Sequence, residues 1–279
     1  MYLPRAVYTQ INSWVVSLGG LVLSWVVWGV GFLAGGVVWQ DFALEAFYPV
    51  VWLGYFAPVL ITCLACLWVS KHLPRALLKT CWRLPPDSLG YLYVLASPFA
   101  VTLLILSIAM RQTLPWLNLL FGLVAFPGYA LLAALGSGLV GFEFGVRAVL
   151  RPHLDARINS PLVVDVLLTL LWLGFVWPQI LAQVAVWELS PGVVFGFYLV
   201  YLLLLTRLNH ELARHFENRP LLGVLVTGGG LFWLEFLSHI FAFESVYSYL
   251  ATLLVSLLVA TFLIFELLEH HAQHRLLRG

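Results

Sequence analysis

The stretch NHELARHFENR, Asn209 to Arg219, sets a histidine and a glutamate side by side with a second histidine close behind. A helical zinc motif uses the same residue types: two histidines four apart face one metal, and the glutamate serves as general base. Here the second histidine, His215, follows His210 by five positions, which turns the two rings apart by about 140° on a regular helix. That spacing favours a charged turn between two apolar segments. A second cluster, ELLEHHAQHRLLRG, puts Glu266, His270 and His274 in one stripe at intervals of four. If both stretches face the same side, His210, His215, His270 and His274 could together hold zinc, or iron of the kind bound by membrane histidine-box enzymes. The competing reading is a helix end whose basic residues favour the negative pole of the helix dipole.

Other candidates lie inside apolar runs, where an ionisable group is costly and therefore functional by default. Glu235 and His239 are four apart and share a helix face, Gln179 and Gln183 do the same, and Asp165 opens the apolar run that contains those glutamines. Glu235, His239, Gln179 and Gln183 could form a polar core that carries protons or binds a polar headgroup, or a hydrogen-bonded clamp between helices. Glu143 and Arg147, again four apart, close another apolar run.

The elements that must position these residues are membrane helices. Of 279 residues, 62% are hydrophobic and 10% charged, with a mean hydropathy of +0.97, whereas soluble domains carry about 25% charged residues. The composition therefore predicts an all-α, polytopic bundle forming a single transmembrane domain over 1–279. Crossing the hydrocarbon takes roughly 20 apolar residues, and runs of that order predict about eight spans: 14–39, 50–70, 91–110, 116–142, 162–186, 192–206, 221–242 and 246–267. The N-terminal stretch has no cleavage pattern and reads as a retained span. With the N-terminus inside, every Lys and Arg except Arg111 falls on the cytoplasmic side, which predicts both termini in the cytoplasm. A bacterial inner membrane is the natural host.

Pro58, Pro98, Pro127 and Pro178 fall within spans and predict kinks, because each frees a carbonyl that a neighbour must satisfy. The glycines at 135–138 and 227–230 predict close contact between the fourth and seventh spans. The three cysteines read as packing residues and one cytosolic thiol, with no disulfide framework. A net charge of +1 excludes an electrostatic footprint for nucleic acid, so the partners expected are the lipid bilayer and a membrane protein.

FEFGVRAVLRPHL, Phe142 to Leu154, resembles the first motif of the CPBP family of CAAX proteases and bacteriocin-processing enzymes: two glutamates, three residues and an arginine, then leucine and proline. That family is also a bundle of about eight helices. The resemblance implies catalytic roles for Glu143 and Arg147, with His239 as the third-motif histidine or His215 as its rival. Phe142 stands where the family has its water-activating glutamate, Trp177 where it has the second-motif histidine, and Phe243 where the third-motif asparagine belongs.

Three function classes remain. The leading one is a non-catalytic or accessory membrane protein that binds a partner or lipid, because no constellation is complete. The second is a CPBP-like intramembrane hydrolase, which requires Glu143 and His239 to reach one cavity even though the topology puts them near opposite faces. The third is a transporter or a membrane enzyme with a cytoplasmic histidine metal site.

Overall fold

The computed structural model describes residues 12–35, 49–69, 75, 79, 88–110, 116, 117, 120, 124–128, 130, 139–216, 221–230, 241 and 243–276. Every element among them is helical. In chain order these are α1 (Ser13–Gly35), α2 (Pro49–Val69), α3 (Ser88–Ala109), α4 (Leu139–Phe142), a π-helical turn (Glu143–Arg147), α5 (Ala148–Asp155), α6 (Pro161–Phe175), α7 (Trp177–Trp187), α8 (Pro191–His215), α9 (Leu221–Gly230) and α10 (Val246–Leu276).

The distribution of residue types is the reverse of a soluble protein's. Trp68 is 94% exposed and Val22, Ile108 and Phe262 are all exposed, whereas Glu143, Arg147, Arg151, Asp165 and Asn209 are buried. A chain packed this way presents hydrocarbon outward and keeps its charges for helix–helix contacts, as a lipid solvent demands. Among the described residues, three stretches are long and apolar enough to cross a membrane, within α1, α8 and α10, and the bent pair α6 and α7 makes a fourth if it counts as one span. Shorter apolar helices lie within α2, α3 and α9.

Two of the expected spans take a different form. The fifth, 162–186, is broken at Val176, where α6 and α7 meet at 64°. Pro178 is the cause: it has no N–H to give the carbonyl four residues earlier. That carbonyl, Gly174 O, is instead met by Trp25 Nε1 from α1 at 3.1 Å. The sixth span, expected to end at 206, runs on to His215. NHELARH is therefore the last two turns of α8 rather than a charged turn. Arg207, Glu211 and Arg214, at spacings of four and three, form ion pairs that support those turns. Pro58 and Pro98 lie inside α2 and α3 without ending them.

The core is built around α2. Helix α1 lies along it, and α4 and the π turn pack across it; α6 packs on α8, α8 on α10, and α10 on α3. Close approach to α2 depends on two glycines. A Cβ at Gly141 would stand 1.7 Å from the Tyr55 carbonyl oxygen, and one at Gly145 would stand 2.4 Å from the Pro58 carbonyl carbon. Next to this seam is a buried aromatic group. Phe142 stacks on Trp172 at 4.9 Å, and Trp28 meets Tyr55 edge-on at 5.5 Å and Phe175 at 5.6 Å. The expected contact between the fourth and seventh spans is visible at Gly229, where an added Cβ would stand 2.0 Å from the Phe126 ring; residues 135–138 lie outside the described residues.

Candidate functional site: a buried string of ion pairs

The π turn positions the first charges. Ala148 N–H donates to the Glu143 carbonyl, five residues back instead of four, so the ladder skips a partner and widens. Thr62 Oγ1 of α2 donates to the Gly145 carbonyl at 2.6 Å. The turn is thus held from outside by α2, in the same place where Gly145 lets the two backbones touch.

Glu143 and Arg147 both point into the bundle and pair there, with Arg147 Nε 3.2 Å from Glu143 Oε2. The other carboxylate oxygen, Oε1, accepts a hydrogen bond from Asn209 Nδ2 of α8 at 3.0 Å. Arg147 Nη1 donates to the Thr206 carbonyl, one turn before Asn209, at 3.3 Å. Three buried side chains therefore tie the π turn to α8.

One turn further along, Arg151 of α5 donates through Nη1 to Asp165 Oδ1 of α6 at 3.0 Å. Asp165 Oδ2 accepts from Arg207 Nη1 of α8 at 3.1 Å. Arg207 reaches Glu211 at 2.6 Å through Nη2, and Glu211 stands 3.8 Å from Arg214. Arg151 Nε also lies 3.5 Å from Asp155 Oδ2. Burial pushes the Asp155 carboxyl above its ordinary range, and Arg151 offsets only part of that rise. The two ends of the string differ in exposure, with the Glu143 side chain at 3% and Arg207 and Arg214 at 36% and 75%. His210 shares its electrostatic surroundings with Arg151, Asp165, Arg207 and Arg147.

This arrangement sorts the residues singled out by spacing. Glu143, Arg147 and Asp165 are brought together with Asn209, Arg151 and Arg207. Both oxygens of Asp165 are held by arginines, and Gln179 and Gln183 sit half-buried on α7, beyond the break. Glu235 and His239 lie outside the described residues, so nothing here places them beside Glu143. His210 lies within electrostatic reach of the ion pairs, while His215 meets the Phe216 ring edge-on at 5.0 Å. His270 is exposed on α10, and the side chain of His274 is outside the described residues. Among the described residues, no three His, Cys, Asp or Glu side chains gather as a metal ion would require.

Phe142 and Trp177, which occupy two positions of the CPBP-like pattern, have apolar surroundings. Phe142 is fully buried on Trp172, and Trp177 packs edge-on to Phe195 at 5.9 Å. Asn209 is the residue that spacing rules passed over. Its signal was present, since a helix extended through the Arg207 and Glu211 pair puts Asn209 on the buried side together with Leu205 and Leu212.

Chemically, the string joins helices. Each buried charge has an opposite charge within contact, which is the condition for keeping such groups away from water. No family model matches the chain, and no curated protein does.

Proposed function

We propose that this protein is a multi-pass membrane protein of about eight spans with both termini in the cytoplasm, seated in a bacterial inner membrane. It acts as a non-catalytic or accessory component by binding a membrane protein partner or lipid. The observation that carries this reading is the state of Glu143, whose two carboxylate oxygens are engaged by Arg147 and Asn209. A general base needs its carboxylate directed at a water and oriented by a second polar group. At the preceding position, where the resemblance would have the water-activating glutamate, Phe142 is stacked on an indole.

A second reading, an intramembrane hydrolase of the CPBP kind, draws on one observation. A carboxylate, a guanidinium and an amide from Glu143, Arg147 and Asn209 share one buried place, and such a trio can orient a polar ligand. Profiling of new protein termini in membranes from cells producing the natural chain or Glu143→Gln separates the two. A binding protein gives the same termini in both. Cleavage products present only with the natural chain would overturn the accessory reading.

A further inference from the structure

Gly223 of α9 differs from Gly141 and Gly145 in what it touches. A Cβ added at either of those two would run into the backbone of α2, at 1.7 Å and 2.4 Å. One added at Gly223 would stand 2.9 Å from Asn209 Oδ1, while Asn209 Cγ and Cα would remain in ordinary contact at 3.7 Å and 3.8 Å. The α9 backbone is therefore packed directly against the Asn209 amide, and a methyl group at position 223 would crowd only the tip of that amide.

The same amide holds Glu143, because Asn209 Nδ2 donates to Glu143 Oε1 at 3.0 Å. An asparagine amide is planar, so its oxygen and nitrogen turn together. The torsion that turns them has broad wells and no sharp preference of its own, which leaves the neighbours to set it. Helix α9 is well placed to do so. Nine of its ten residues are buried, so packing holds it on all sides, and Thr227 Oγ1 donates to the Gly223 carbonyl at 2.9 Å, bracing the turn that meets Asn209.

We propose that Gly223 is a positioning residue for Glu143: by bringing the α9 backbone against the Asn209 amide, it sets the rotation at which Nδ2 meets the Glu143 carboxyl. The geometry of a buried acid on the π turn is thus fixed by a third helix that does not touch it through any charged group. This holds whichever reading of the function is right, since a ligand site and a structural clamp both need Glu143 held in one place.

A substitution cycle with a spectroscopic readout tests the proposal. Alanine is a better helix former than glycine, so Gly196→Ala in α8, where nothing lies within 4 Å of an added Cβ, should leave the unfolding midpoint unchanged or raise it. Gly223→Ala should lower the midpoint in the natural chain and become neutral or stabilising in an Asn209→Ala background, where the crowded amide is gone. In infrared difference spectra, the carboxyl band of Glu143 is the one that Glu143→Gln removes. Gly223→Ala should move that band in the same direction as Asn209→Ala does, and Gly196→Ala should leave it in place. A band unmoved by Gly223→Ala overturns the proposal, as does an equal loss of stability from Gly223→Ala in both backgrounds. If Gly223→Ala alone does not fold, recovery of folding in the Asn209→Ala background supports the proposal and failure there overturns it. If Glu143→Gln does not fold, the stability cycle decides alone.

Discussion

The two ends of the ion-pair string use the same residue types within contact distance, yet they rest on different physics. At the inner end Glu143, Arg147, Arg151 and Asp165 are sealed from solvent. At the outer end Arg207 is about a third exposed and Arg214 three-quarters exposed. A buried charge that loses its partner stays buried and uncompensated, at a cost of about 3–5 kcal/mol. An exposed charge that loses its partner turns to water, and the loss is about 0–1 kcal/mol. Contact distance alone therefore says little about which pairs hold the bundle; the environment decides.

The largest effect should come from Asp165→Ala, which strips the shared carboxylate from Arg151 and Arg207 at once. Its unfolding free energy in detergent should fall by about 3–5 kcal/mol, and loss of less than 1 kcal/mol would mean that the inner pairs are not sealed. Arg147→Met should do nearly as much, because the buried Glu143 carboxyl is left with only Asn209 to meet it. Thr62→Val comes next: it leaves the Gly145 carbonyl without its outside donor, for about 1–3 kcal/mol, and amide exchange through residues 143–148 should quicken. The smallest effect should be Glu211→Gln, under about 1 kcal/mol. This outer substitution should lose even that effect at high salt while Asp165→Ala keeps its own, since salt screens exposed pairs and scarcely reaches buried ones.

How much of this was legible in the sequence follows from which interactions are local. The helical bundle is written in composition and run length, and the Glu143–Arg147 pair in its four-residue spacing. The break at Val176 follows from Pro178, although only the fold shows Trp25 taking the freed carbonyl. The extension of α8 was legible in the Arg207 and Glu211 spacing, but the histidines of the same stretch suggested a different kind of site. The π turn was not legible, because the extra residue in its ladder is stabilised by Thr62 and by contact with Pro58, 83 residues away in the case of Thr62. Asn209 could be recognised as a partner of Glu143 only once the helix carrying it was known to continue.

The clamp reading of Glu143 is tested most directly by a double-mutant cycle on Glu143→Leu and Arg147→Met, with unfolding free energy measured in detergent. Each single change should destabilise by about 3–5 kcal/mol when it leaves one buried charge alone, while the double change should recover most of that loss because both charges are gone. A double variant as unstable as the sum of the singles would contradict the clamp, since it would mean that the two residues act separately and that Glu143 is kept for something other than its arginine.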